Sequence, residues 1–267
     1  MSTMAKSIQP IDIHLVSWQR PAMTELVIKT IHRNTKRENF RLVVLDNASD
    51  EATVEMLQTL HDNGLIDEFV PLKTNLGLEV ARHFLLNEYT QGKYFVCVDN
   101  DCLPEPMKDG YDWLERLVEL AEKNEEFAAL ALKTQVMIGS GDPFDGHQGE
   151  ILDFPHPGGS YRLMRTGDVL AVGDWDRGMK GRGQEERYIC GKLRAEGWKT
   201  GFATQIKALH LFGSQQTDRW GYPPNWGPEE SGHSDISHPA LDQGDDYQEI
   251  EKYAGKELTY DYRNNQG

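Results

Sequence analysis

No run of apolar residues in this chain is long enough to cross a bilayer, and its first residues contain no apolar core of the signal-peptide kind. Cysteine is scarce: Cys97, Cys102 and Cys190 are all there is in 267 residues. An odd count at these spacings builds neither a disulfide framework nor a zinc motif, which suits a reducing compartment. The cytoplasm is therefore the expected location, with action on a membrane-bound acceptor left open. Positive charge is also short. There are 28 Lys and Arg against 43 Asp and Glu, a formal net charge of −15. A protein that grips a phosphate backbone needs a basic face, so nucleic acid is not an expected partner. Hydrophobic residues reach only 38%, which predicts long loops or a polar tail around one large α/β domain.

Against these shortages one stretch stands out. Tyr94-Phe95-Val96-Cys97-Val98 is unbroken by charge and is followed by Asp99-Asn100-Asp101. An apolar run of this kind reads as a strand buried on both faces. In an open α/β sheet, ligands gather beyond the carboxyl ends of such strands. Asp99 and Asp101 are thus expected at the mouth of a site, where two carboxylates one residue apart can turn toward a hard cation. Oxygen ligands suit Mg²⁺ or Mn²⁺, above all when a diphosphate supplies further oxygens. Acidic residues at strand ends also serve as helix caps, so the surroundings decide.

The surroundings alternate strand and helix. Strands are expected at 11–17, 40–45 and 69–72. Helices follow them, from Pro21 with Leu26, Val27 and Ile31 inward, from a Ser49 or Asp50 cap with Val54, Leu57 and Leu60, and after Asn75-Leu76-Gly77 with Val80, Phe84 and Leu85. Short strand–helix crossovers predict a mostly parallel central sheet with helices on both faces. A helix is expected over 111–124, one or two strands over 128–136, and a Gly/Pro-rich loop over 139–159. Beyond it come a strand at 160–164, a short helix at 168–172, a basic glycine-rich loop at 177–183 and a helix at 184–196. Two short strands are expected at 199–203 and 206–211. Residues 1–214 form the expected domain. Residues 215–267, with Trp220, Tyr222 and Trp226 and then an acidic stretch, read as a tail that wraps the domain or stays partly disordered.

Several motifs occur in an order that carries a resemblance. They are Leu45-Asp46-Asn47-Ala48-Ser49, Asn75-Leu76-Gly77 with Ala81-Arg82, Asp99-Asn100-Asp101, Gly158-Gly159-Ser160 with Leu163-Met164-Arg165, and Gly173-Asp174-Trp175-Asp176. The most specific is the segment from Gly183-Gln184-Glu185-Glu186 through Cys190, Leu193 and Gly197, with His210 downstream. Together they resemble the nucleotide-sugar glycosyltransferases of the GT-A fold, most closely glycosyltransferase family 2, over residues 11–213. The chain departs from that pattern at Glu185-Glu186, at Tyr188, at Arg82-His83 and in Ser17-Trp18-Gln19-Arg20-Pro21.

The resemblance implies an inverting, metal-dependent transfer of a sugar from a nucleotide diphosphate, with UDP expected, to the hydroxyl of a glycan, a lipid-linked acceptor or a protein. It implies Mn²⁺ or Mg²⁺ as cofactor, with Asp101 as direct ligand, Asp99 on the metal or the ribose, and His210 completing the shell. Glu186 aligns with the base, and Glu185 is the neighbour that would orient the acceptor. Asp46 is expected at the nucleobase, Arg82 and Lys73 at the phosphates, and Ser17 on the donor side. The 177–183 loop is expected to close over bound donor. Trp220, Tyr222 and Trp226 are candidates for an acceptor platform. His233 and His238 are too sparse for a metal site. Two other readings stay open: a nucleotidyltransferase, although 17–21 lacks its glycine- and lysine-rich signature, and a catalytically silent nucleotide- or sugar-binding module.

Overall fold

The computed structural model describes residues 8–107, 111–134, 144, 147–158, 161–175 and 185–210, with backbone alone at 134, 209 and 210. Nine strands form one sheet in the order β3-β2-β1-β4-β8-β6-β9-β5, with β7 also paired to β9. The parallel half comprises β1 (Ile11–Ser17), β2 (Phe40–Asp46), β3 (Glu68–Pro71) and β4 (Tyr94–Asp99), as the strand–helix alternation predicts. The other half is mixed. There β8 (Arg162–Arg165) runs antiparallel to both β4 and β6 (Phe127–Thr134), and β9 (Lys199–His210) runs parallel to β6. Antiparallel pairs also join β9 to β5 (Cys102–Pro104) and to β7 (Ile151–Asp153).

The sheet is thus mixed rather than purely parallel. The two strands expected over 199–211 are one, whose register against β6 slips between Leu132 and Lys133. β5 and β7 have only three residues each, too few to produce a periodic signal.

Side-chain alternation explains why helices cover both faces. Along β4, Tyr94, Val96 and Val98 join one apolar core, while Phe95 and Cys97 join another. The first core packs under α1 (Pro21–Asn34), α2 (Glu51–Asp62) and α4 (Trp113–Lys123). On the other face, α3 (Leu78–Tyr89) covers Val43 and Leu45 with Val80, Phe84 and Leu85. Beside it, α5 (Thr166–Ala171) and α6 (Glu185–Ala195) cover Phe95, Cys97 and Met164 with Val169, Ile189, Cys190 and Leu193.

Helix starts are fixed by side-chain caps where the sequence supplies them. Asp50 caps α2 by accepting from the Thr53 amide at 2.9 Å. Asp112 and Glu115 form a capping box on α4. The second Asp112 oxygen also takes the Lys36 amide at 2.9 Å and the Asn39 side chain at 2.8 Å, so one buried carboxylate ties α4 to the α1–β2 connection. Asp112→Ala removes a cap and strands two donors. A loss of about 2–4 kcal/mol in urea unfolding is expected, and a loss below ~1 kcal/mol would mean that water replaces the carboxylate without penalty.

Candidate active site

The parallel strands end in register, Ser17 opposite Asp46 and Val16 opposite Asp99. The loops leaving β1, β2 and β4 therefore share one edge, the position where open α/β sheets bind ligands.

On the β2 side, Asp46 is fully buried. One oxygen accepts from the Ser49 amide at 2.8 Å and the other from the Ser49 hydroxyl at 2.5 Å. Its backbone carbonyl accepts from Leu72. Burial pushes its carboxyl up, and the two Ser49 bonds oppose that rise. Asp46 thus holds the β2–α2 turn and offers no exposed edge to a base. Ser17 is likewise buried, while Lys73 stands exposed just past β3. Ser49 reaches further, accepting from the Gln19 amide at 2.6 Å. Asn47 takes the Leu76 amide at 2.8 Å, which fixes the start of α3, where Gly77 adopts a positive φ of 83°.

The β4–β5 turn carries the two central carboxylates. Asp99 accepts from Arg82 Nη2 at 2.7 Å, and its side chain is about one-third exposed (34%). Asp101 pairs with Arg20 Nη1 at 3.3 Å, and both side chains are largely buried. Between them, Asn100 donates to Thr24 Oγ1 at 3.1 Å, docking the turn on the first turn of α1. The β5–β9 register sets the backbone of His210 opposite Cys102, beside Asp101. Two carboxylates on one turn, each already drawing a cationic side chain, fit a hard divalent ion that keeps several non-protein ligands. Among the described residues no group of three His, Cys, Asp or Glu gathers to hold a metal, so further oxygens would come from substrate and water.

Behind this turn lies a chain of alternating charge. Arg82, on α3, spans from Asp99 to Glu185 Oε1, at 3.3 Å. Arg162 on β8 pairs with the same Glu185 oxygen, which also accepts from Trp175 Nε1 at 2.7 Å. Arg82, Arg162 and Glu185 are all buried. Burial opposes the charge of Glu185, but Arg162 and Arg82, with the indole N–H, hold its carboxyl below the ordinary range. Burial likewise opposes the charge of Arg82, and Glu185, Cys97 and Asp99 outweigh it. Trp175 is aimed by a turn in which Gly173 and Asp174 have φ of 78° and 44°. The Asp174 carboxylate contacts His83 Nδ1 at 2.6 Å, and Lys192 of α6 donates to the Asp174 carbonyl at 3.1 Å.

Glu185 and Glu186 open α6, yet the structure separates them. Glu185 is buried, and its Oε1 points into the arginine pair. Glu186 is only partly covered. Burial, then the charge of Glu185, pushes its carboxyl up; Arg162 opposes, and Asp99 adds to the rise. Glu79, in the first turn of α3, joins them. Burial pushes it up to about 7, with Glu185 and Glu186 adding and Arg82 opposing.

Glu79, Arg162, Trp175 and Arg20 were not singled out as site residues from sequence. For Glu79 the signal was present: it lies three residues before Arg82 on one helix, a spacing that shares a face. Arg162 is an arginine inside a short apolar strand, an oddity that itself suggests a buried partner. The 177–183 loop, Trp220, Tyr222, Trp226, His233, His238 and the rest of 215–267 lie outside the described residues.

Comparison with known proteins gives the same picture. The profile of "Glycosyl transferase family 2" matches residues 12–166. An uncharacterized glycosyltransferase of Haemophilus influenzae is 25% identical over 105 residues, which is 39% of this chain and 31% of that protein. GalNAc-T7 with UDP, GalNAc and Mn²⁺ superposes with a TM-score of 0.62 at 14% identity, covering 78% of this chain and 44% of that one. The mannosyltransferase PcManGT from Pyrobaculum calidifontis, in complex with GDP-Man and Mn²⁺, gives 0.61 at 13% identity, covering 93% and 76%. The chain thus spans about a third of the curated relative and under half of GalNAc-T7. With more than half of its length matched by the profile, the chain belongs to glycosyl transferase family 2 and carries that family's domain on a GT-A fold.

Proposed function

We propose that the chain is a metal-dependent, inverting glycosyltransferase that moves a sugar from a nucleoside diphosphate, UDP in the first instance, to a hydroxyl of a glycan, a lipid-linked acceptor or a protein. The observation that carries this reading is Glu186: a partly covered carboxylate at the start of α6, within electrostatic reach of Asp99 and with its affinity for protons raised. A carboxylate whose proton affinity is raised is a stronger general base than an ordinary one. Structural neighbours bound to UDP or GDP-Man, each with Mn²⁺, support the donor class.

In the reaction proposed, the acceptor O–H proton passes to Glu186. The acceptor oxygen bonds to the anomeric carbon, and the bond from that carbon to the diphosphate oxygen breaks, with the electron pair leaving on the nucleoside diphosphate. A divalent cation held by Asp101 and Asp99, with His210 beside them, would supply positive charge to that leaving group. Arg82 holds Asp99 from behind. Glu185 acts as a positioning residue, since its bonds to Arg82, Arg162 and Trp175 fix the start of α6 on which Glu186 stands. Asp46 is assigned to shaping the nucleotide side of the cleft by holding its turn, and Lys73, exposed just past β3, is assigned to the phosphates. The 177–183 loop, directly before Glu185, is assigned the closure over donor. No helix among the described residues is long and apolar enough to cross a membrane; a cytoplasmic location is part of the proposal.

Three outcomes are expected. Glu186→Gln lowers turnover by about 10²- to 10⁴-fold while thermal stabilisation by nucleotide and Mn²⁺ persists; full turnover would remove Glu186 as base, and nucleotide binding without turnover in the unaltered chain would favour a silent binding module. The acid limb of kcat/KM, which requires ionised Glu186, lies above the ordinary carboxylate range. Because Arg162 now favours that ionised form, Arg162→Met moves the limb to still higher pH, read on protein whose melting confirms folding; a limb that stays or falls contradicts the assignment. A panel of UDP- and GDP-sugars stabilises the chain only with Mn²⁺ or Mg²⁺, by ~2.7 kcal/mol at a hundredfold excess over Kd. Asp101→Asn loses that stabilisation, and a shift indifferent to metal or to Asp101 defeats the metal reading.

A further inference from the structure

Arg20 occupies a place that helix formation does not explain. It stands at the N-cap of α1 with φ 62° and ψ 55° and makes no side-chain cap bond. Ser, Thr, Asp or Asn are the residues that favour this position, and a cation near a helix N-terminus opposes the helix dipole. Gln19 before it has φ 57°, so two successive residues with side chains sit in the left-handed region, an arrangement that costs of order 1–3 kcal/mol per residue and persists only when the surroundings enforce it.

The surroundings do enforce it. The Ser49 hydroxyl, itself held by Asp46, takes the Gln19 amide at 2.6 Å, and the Thr24 amide donates to the Arg20 carbonyl at 3.0 Å. Asn100 ties the Asp99–Asp101 turn to the same Thr24. This bracing sets the guanidinium of Arg20 against Asp101 Oδ2 at 3.3 Å, with the two side chains only 10% and 12% exposed.

We propose that Arg20 is an internal competitor for the cation at Asp101, holding that carboxylate while no donor is bound and releasing it when the cation arrives with the nucleoside diphosphate. The inference rests on the metal-dependent reading above. A guanidinium and a divalent ion both seek the carboxylate's lone pairs, and side by side they repel. A cation arriving alone must displace Arg20 without recompense. A cation arriving with a diphosphate leaves the freed guanidinium facing phosphate oxygens, which it binds well. Metal and nucleotide should therefore bind cooperatively, each tightening the other by the same factor.

The test is the electron paramagnetic resonance signal of free Mn²⁺, titrated against the full chain with and without UDP or GDP. The unaltered chain is expected to bind Mn²⁺ weakly alone and at least about tenfold more tightly with nucleotide. Arg20→Gln is expected to bind Mn²⁺ alone about tenfold more tightly than the unaltered chain, so that the nucleotide effect shrinks by that factor while the part due to phosphate ligation remains. Arg20→Lys, shorter and without the planar fork, moves the same way by less and serves where Arg20→Gln does not fold by circular dichroism. Mn²⁺ affinity in folded variants equal to or weaker than that of the unaltered chain overturns the proposal alone. No Mn²⁺ binding by the unaltered chain, with either nucleotide present, removes the metal-dependent reading and the proposal with it.

Discussion

The buried carboxylate of Glu185 is the constraint on which the rest of the site depends. Removing an ion from water costs several kcal/mol even after the protein relaxes, and an attractive partner offsets this only with good geometry and further hydrogen bonds. Glu185 has two guanidinium partners and an indole N–H, contributed by α3, β8 and the turn after α5. Each of these lies in a different segment of the chain, and each is fixed by its own packing. Glu185 can therefore be accommodated only when α3, α6, β8 and the Gly173–Asp174 turn are all in place. The same bonds set Arg82 against Asp99. The start of α6 and the carboxylate at the end of β4 are thereby tied into one unit.

That unit gathers carboxylates at the cleft. Among the described residues, Glu185, Glu186 and Glu79 act on one another's protonation, with Arg82 and Arg162 opposing. Such a cleft favours proton uptake by its least compensated members, which is why Glu186 and Glu79 are pushed up while Glu185, between two arginines, is pushed down. It also repels a diphosphate that arrives without a counterion. Burial together with neighbouring carboxylates thus raises the proton affinity of Glu186, and in the proposed reaction the same carboxylates would call for a cation with the donor.

Local pattern explains which parts of the fold were legible in sequence. The strands and helices of residues 11–99 follow from periodicity and caps, because each helix in that half follows its strand by a short crossover. The second half depends on pairing between distant segments. Nothing local in Arg162–Arg165 says that it runs antiparallel between β4 and β6, and three-residue strands such as Cys102–Pro104 exist because β9 offers them an edge. The site divides in the same way. Asp99, Asp101, Glu185 and Glu186 were visible as motifs, but a motif does not say which of two adjacent glutamates faces inward. Helical geometry does: successive residues point about 100° apart, so when Glu185 turns to the arginines Glu186 must turn elsewhere. Asp46 shows the converse limit, since a strand-end aspartate two residues before Ala48-Ser49 can close its own turn as readily as it can face a ligand.

Both carboxylates of the Asp99-Asn100-Asp101 turn are held by arginines, but the two arginines are not equivalent. Arg82 is locked from behind by Glu185 and lies wholly inside the protein, so a change at Asp99 has little room to move it. Arg20 sits at the end of a loop in a strained backbone conformation, and the residue that braces that loop, Ser49, belongs to the turn after β2. Asp46, Ser49, Gln19, Arg20 and Asp101 thus form a continuous path from the end of β2 to the β4–β5 turn, made of hydrogen bonds, the Gln19–Arg20 peptide link and one ion pair. A fixed arginine on Asp99 preserves the geometry of the turn, while a releasable one on Asp101 leaves a single carboxylate whose partner can change. In the proposed reaction, a change of partner at Asp101 is a step through which donor and cation would sense each other.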